Sequence, residues 1–301
     1  MAAAGTTPES VLEIVRMARL AGEASGSISR AAVPQVDPAL VTSIDPKELR
    51  VAIQGALEAT YPDVALDVLE ASGVLAVFLP EVTELVGFGD GEWRHKDVWK
   101  HTKQVVLQAE RTPLLRWAAL LHDIGKPRTR KISPDGQVHF LGHSEVGASM
   151  FDRLCTRVPF EPDMREQIRF LILHHLRANQ YDPGWTDSAV RRFAREMGSC
   201  LPELLALSSA DITTKRPERK ARGLKAIGDL AERIRVLAEE DAKLPPLPKG
   251  LGEALMAHLG IPAGPRIGQL KRKLERLVED GELEARREPE YYLAALAKIE
   301  P

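Results

Sequence analysis

LLHDIGKP, residues 120–127, ends the apolar run RWAALL with a histidine and an aspartate side by side. A helix leaving a core commonly does so through one capping or charged residue; here two groups that bind cations stand at the exit. Similar ends recur along the chain. His101 begins HTKQVVLQAE, whose apolar residues repeat at helical spacing, His143 opens HSEVGASMFDRL, His174 and His175 close IRFLILHH, and Asp211 lies in LSSADITTK. All eight histidines fall between Arg94 and Leu259, and helical geometry turns five of them inward.

Taken singly, each of these is ordinarily a polar residue of the core or surface. As a set they need a partner, because an unpaired buried imidazole costs on the order of 1–3 kcal/mol. One shared cation satisfies them together. Imidazole and carboxylate ligands without thiolate suit one or two ions of Mn, Fe, Co or Ni, with Mg and Zn as further candidates.

Around these positions helix signals recur, so the fold class expected is all-α. In TTPESVLEIVRMARLAG, Thr7 caps and Pro8 takes the first helical position. In IDPKELRVAIQGAL, Asp45 caps, Pro46 follows, and Glu48 stands where a capping-box partner belongs. GEASGSISRAAVPQVDP, residues 22–38, reads as a linker that leaves the first helix loosely attached. Further breaks fall at GFGDGE (Gly87 to Glu92), PRTRKISPDGQVHFLG (Pro127 to Gly142) and KLPPLPKG (Lys243 to Gly250), and SPDG makes the second a small hairpin. The chain thus divides into residues 1–37, an N-terminal helix and linker; 38–91, a helical segment; 92–220, the histidine-rich centre; and 221–301, a charged helical tail.

The 301 residues are 44% hydrophobic and 28% charged with a formal charge of −2, so no global field draws nucleic acid or membrane, and any polyanion site is a local patch. Cys155 and Cys200 stand apart as buried free thiols rather than a disulfide, which favours a reducing compartment. MAAAGTTPES lacks the charged and apolar parts of a leader, and no apolar run reaches the roughly 18 residues of a membrane span. A cytoplasmic protein is expected.

The doublet and its companions resemble the HD superfamily of metal-dependent phosphohydrolases, whose signature is a His, an adjacent His-Asp pair and a distant Asp. His101, His122, Asp123 and Asp211 match those positions, and HDIGK is a specific form of the motif. The resemblance implies a helical bundle in which His101, His122 and Asp211 hold a first metal and Asp123 bridges to a second. His143 in GHSEVGA and His174 in LILHH match the two further histidines of the two-metal members. Asp97, four residues before His101, reads as a helix cap or a hydrogen-bond partner of that ring. The reaction implied is phosphoester hydrolysis, in which a divalent ion ionises water near neutral pH and neutralises phosphoryl charge. Lys126, three residues past the doublet, would reach a phosphate oxygen, as would His175 or Arg177; the alternative for Lys126 is a solvent-facing lysine at a helix end.

A closer resemblance extends over residues 38–298. IDPKELRVAIQGALEATYPDVALDVLEASGVLAVFLPEVTELVGF is similar to the neck helices of bacterial CCA-adding tRNA nucleotidyltransferases. KGLGEALMAHLGIPAGPRIGQLKRKLERLVEDGELE is similar to their C-terminal element, with Gly260, Pro262, Gly264, Pro265 and Gly268 in a turn before a helix. Nucleotidyl transfer in that family needs a Gly-rich turn and two aspartates one residue apart. Residues 1–37 contain neither, so CCA addition is not expected of this sequence. What the resemblance implies is the activity linked to the HD part, 2',3'-cyclic phosphodiesterase, 2'-nucleotidase and phosphatase.

Two basic clusters, Lys215, Arg216, Arg219, Lys220, Arg222 and Lys225, and then Lys271, Arg272, Lys273 and Arg276, match regions that lie along tRNA in that family; such charges contact phosphate without reading sequence. Interleaved Glu275, Glu279 and Glu282 allow the plainer reading of a solvated helix. Aromatic residues are 5%, too few for base-stacking platforms. The expected function is a phosphohydrolase of nucleotides or RNA ends. Its alternatives are a non-catalytic RNA-binding remnant of a CCA-adding enzyme and an HD-type 5'-nucleotidase.

Overall fold

Proline at the first helical turn, preceded by an acceptor side chain, starts helix after helix. Asp37 accepts from Ala39 N ahead of Pro38, Asp45 from Lys47 N and Glu48 N ahead of Pro46, and Thr112 from Leu115 N ahead of Pro113. The structure, a computed structural model, describes residues 7–24, 28–88, 97–243 and 245–299. Among these the fold is all-α, as expected, with one pair of two-residue strands. Lys131–Ile132 pairs antiparallel with Val138–His139 around a turn in which Gly136 has φ 80°, which is the hairpin expected from SPDG. Part of the GFGDGE break lies outside the described residues. No helix among those described is long and apolar enough to cross a membrane.

Two compact units divide the chain, Met1–Ala231 and Glu232–Pro301, and the division falls inside the helix Pro217–Lys243. In the first unit the helix Pro113–Leu121 lies innermost: from Leu115 to Leu121 every residue is buried, Trp117 to Leu121 completely. A segment apolar on all sides must be surrounded, and Val98–Gln108, Pro162–His174, Leu201–Ala210 and Pro46–Leu57 pack around it. Arg116 is the exception in composition. The residue is 4% exposed and its guanidinium donates to Val106 O at 2.6 Å and Glu110 O at 3.2 Å, so its charge caps carbonyls of a neighbouring helix end.

The first helix is not loosely attached. Pro8–Ala24 buries Val11, Val15 and Ala18 against Pro46–Leu57 and Pro62–Ala71. Gly22 lets it come close: a Cβ there would stand 2.8 Å from Ala59 Cβ, and Gly22 O accepts from Tyr61 N at 2.8 Å. The supposed linker is also partly docked, with Val33 5% exposed and Arg30 paired to Glu70. Small polar residues hid this because a few buried aliphatic groups are enough to anchor so short a segment.

Within the second unit, Leu251, Leu255, Ile267, Leu270, Leu274, Tyr292 and Leu296 form a core of their own, which Leu247 of the proline-rich break joins. Tyr292 is fully buried, and its hydroxyl donates to Glu284 O at 2.7 Å and accepts from Arg287 N at 3.1 Å.

Candidate metal centre

Helix ends converge on the His-Asp pair. Asp97 caps the Val98–Gln108 helix, accepting from Lys100 N at 3.1 Å through its side chain and from His101 N at 3.0 Å through its carbonyl, which fixes where His101 leaves the first turn. His122 follows the last residue of Pro113–Leu121, His143 opens His143–Leu154, His175 follows Pro162–His174, and Asp211 follows Leu201–Ala210. Gly125 permits the closest of these approaches. A Cβ on it would overlap the His143 carbonyl oxygen and come within 2.7 Å of Gly147 N, so the glycine of HDIGK is a packing requirement.

Two triads result, each able to hold a divalent cation. His101, His122 and Asp211 each place one ligand atom within 4.8 Å of the others, and so do Asp123, His143 and His175. Asp123 joins them: Oδ2 lies 3.4 Å from His101 Nε2 and 3.2 Å from His122 Nε2, while Oδ1 lies 3.4 Å from His143 Nε2 and 3.9 Å from His175 Nε2. His101 Nε2 is 3.0 Å from Asp211 Oδ1. Lys126 closes the group from the open side, donating to Asp123 Oδ2 at 2.6 Å with its ammonium 5.7 Å from the Phe140 ring centre.

The donor set fits a cation on its own evidence. His122, His143 and His175 each bond Nδ1 to the carbonyl three residues earlier, Ala119 O, Phe140 O and Ile172 O, at 2.7–2.8 Å. A ring nitrogen facing a carbonyl must carry the proton, which leaves Nε2 of the neutral ring a bare lone pair. Nε2 of His143 and of His175 face each other at 3.1 Å beside Asp123 Oδ1, three acceptors with no donor among them. His122 Nε2 and Asp123 Oδ1 are enclosed without a hydrogen bond. Such a cluster is costly until something positive sits in it.

Charge distribution shows the same demand for positive charge, which without a cation falls on a proton at His122. Burial alone would depress the His122 imidazole, but the Asp123 carboxylate outweighs it and holds the ring up to about 10. Burial would raise Asp123, yet His122 and Lys126 hold it well below the usual carboxylate range; Asp211 is likewise lowered by His101 and His122 against its burial. Burial pushes His175 down to about 4 and lowers His143.

One expected ligand is replaced by its neighbour. His174 does not enter the cluster: its ring packs on Phe170 at 4.3 Å, and His175 occupies the place expected for it. The reason is helical phase. Ile168, Leu171 and Ile172 are the buried face of their helix, and residue 175 continues that face at i+7, i+4 and i+3, whereas residue 174 follows Phe170. His175 is therefore not an exposed group that reaches for phosphate; Arg177 is half-buried and bonds Glu196 at 2.5 Å. Lys126 turns its ammonium onto Asp123 rather than out into solvent, with 20% of the side chain still exposed. Two residues that the sequence did not mark also touch the centre. Thr213 Oγ1 lies 2.8 Å from His101 Nδ1, and Gln108 bonds the carbonyls on both sides of Asp211.

The HD domain family model matches residues 98–215, the span that carries every residue of the cluster. This chain contains an HD domain. The chain is also similar to tRNA nucleotidyltransferases: it is 35% identical over 249 residues to the A-adding tRNA nucleotidyltransferase of Deinococcus radiodurans, covering 80% of this chain and 56% of that protein. Identity to the CC-adding tRNA nucleotidyltransferase of Thermus thermophilus is 34% over 235 residues, 76% of this chain and 51% of the relative. The Multifunctional CCA protein of Pseudomonas paraeruginosa is 30% identical over 184 residues, 57% and 44% respectively. The chain thus spans about half the length of these relatives.

Proposed function

We propose that this HD domain is a metal-dependent phosphohydrolase of nucleotides or RNA ends, acting as a 2',3'-cyclic phosphodiesterase, a phosphomonoesterase or both. The observation that carries the reading is the pair of triads sharing Asp123, with His122 Nε2 and Asp123 Oδ1 enclosed and without hydrogen bonds. His101, His122 and Asp211 would hold one ion, His143 and His175 a second, and Asp123 would bridge. Bound there, divalent cations supply Lewis acidity and lower the pKa of water to near neutrality. The protein's part is to keep three imidazoles in the Nδ1–H form, to turn Nε2 of all four inward, and to place a positive charge beside the reacting phosphate. Lys126 is that charge. Its ammonium sits on Asp123 Oδ2 and is 20% exposed, so it faces both the centre and the opening.

Exposed basic residues favour an RNA end or a polyphosphorylated nucleotide over a singly charged ester. Lys215, Arg216, Arg219 and Arg222 are exposed and begin four residues after Asp211. Lys220 and Lys225 of the same run are engaged, the first with Gln108 and the second with Asp229. In the second unit Arg272 and Arg276 are exposed on Pro265–Glu279, opposite its buried Ile267, Leu270 and Leu274. These exposed charges, together with relatives named for tRNA, favour one second reading, an RNA-binding protein without hydrolysis.

The test is to deplete purified protein of metal, add Mn, Co or Ni, and follow hydrolysis of 2',3'-cyclic AMP, 5'-AMP and p-nitrophenyl phosphate. Metal-dependent turnover that Asp123→Ala abolishes is expected. Turnover preferring 5'-AMP would shift the substrate class, and RNA binding with no turnover under any metal would leave the second reading.

A further inference from the structure

Three of the four imidazoles are held by their own helix end, and the fourth is not. His122, His143 and His175 each find a carbonyl three residues back. His101 lies in the first turn of Val98–Gln108, where carbonyls point along the helix and are already used: Val98 O accepts from Thr102 Oγ1 at 2.9 Å. Its Nδ1 is met instead by the hydroxyl of Thr213, 112 residues away in sequence and two residues past Asp211.

A second tie lies two turns further along the same helix face. Gln108 Nε2 donates to Ala210 O at 2.6 Å and to Ile212 O at 3.3 Å, so it grips the backbone on either side of Asp211. Lys220 Nζ donates to Gln108 Oε1 at 2.7 Å, and because a lysine only donates, this bond fixes which end of the amide faces the carbonyls. Both ties join the same two segments, residues 101–108 and 210–213, and between them His101 Nε2 stands 3.0 Å from Asp211 Oδ1.

We propose that Thr213 and Gln108 are positioning residues of the metal centre. Thr213 holds the His101 ring by its Nδ1 edge, so that Nε2 faces Asp211 and stands as a ligand. Gln108 seats Asp211 beside it. The inference rests on the reading of the triads as metal ligands, and its tests are chosen so that the two can fail separately.

In the metal-free protein, NMR of the His101 ring is expected to show a single set of ring shifts in the wild type and in Thr213→Ser, and exchange between ring orientations in Thr213→Val. Gln108→Glu keeps size and the bond from Lys220 but turns acceptors toward two carbonyls. Amide hydrogen exchange at residues 210–213 is expected to quicken in that variant while Pro113–Leu121 stays protected. With Co(II), Thr213→Val is expected to bind the His101 site about 10–100-fold more weakly, with an altered visible spectrum, and Thr213→Ser to restore both. Wild-type Co(II) affinity and spectrum in Thr213→Val, or equal impairment by serine and valine, would overturn the role of Thr213. Unchanged exchange at 210–213 in Gln108→Glu would overturn that of Gln108. If the wild type binds no divalent cation, the hydrolase reading falls, and the ring-shift and hydrogen-exchange measurements still decide whether the two ties act as described.

Discussion

His143 and His175 are each held by a carbonyl three residues back, and they are 7% and 1% exposed; His101, across the centre, is held by Thr213 from a distant segment and its side chain is 22% exposed. Asp211, its partner, owes its seat to Gln108 on another helix. The triad of Asp123, His143 and His175 is thus made largely by local backbone and close packing. The triad of His101, His122 and Asp211 has one locally held member, His122, and two that depend on how Leu201–Ala210 docks beside Val98–Gln108. Local geometry survives small rearrangements, while geometry spanning segments is lost with the docking. The outer triad is therefore where a change elsewhere in the domain would first be felt.

Substitutions can break this contrast in a graded way. Asp123→Ala should empty both triads at once and bring phosphoester turnover down to that of metal-free protein, as read by elemental analysis and a turnover assay on the same sample. His175→Ala should remove one ion and leave the His101 triad able to bind, whereas His174→Ala should keep the full stoichiometry; the opposite result would restore the ligand first expected from sequence. Lys126→Ala should lower kcat about a hundredfold while metal content holds or rises, because the ammonium on Asp123 Oδ2 competes for the same oxygen. Gly125→Ala should cost about 1–3 kcal/mol in denaturant melts, since the new methyl overlaps the His143 carbonyl, and it should weaken the inner triad more than the outer. Replacing Lys215, Arg216 and Arg219 by alanine should leave stability within about 0.5 kcal/mol and shallow the salt dependence of RNA binding by about 0.7 per lost phosphate contact.

Much of the architecture is legible along the chain. Asp45–Pro46 and Thr112–Pro113 start helices because capping and the fixed proline torsion act within one turn. The apolar Leu115–Leu121 segment is inner because nothing on it tolerates solvent. His101, His122, Asp123, His143 and Asp211 stand out because helix-ending residues of those types have few other uses inside a core. Periodicity failed at FLILHH. Phe170, Leu171, Ile172 and Leu173 are all apolar, so the sequence offers two faces and does not say which histidine follows the buried one. Docking of the first helix was missed for a similar reason, because Gly22 and Val33 carry no periodic signal yet are what the packing uses.

By itself, then, the sequence determined the helical elements, their starts and the inventory of groups at their ends, since propensity, capping and 3.6-residue periodicity operate over a few neighbouring residues. Tertiary packing alone decided that His175 rather than His174 meets Asp123, that Lys126 turns inward, and that Thr213 and Gln108 stand behind His101 and Asp211. Those outcomes depend on the phase and approach of helices over a hundred residues apart in sequence, and on lone pairs that acquire a direction only once a neighbour's carbonyl or hydroxyl is in place.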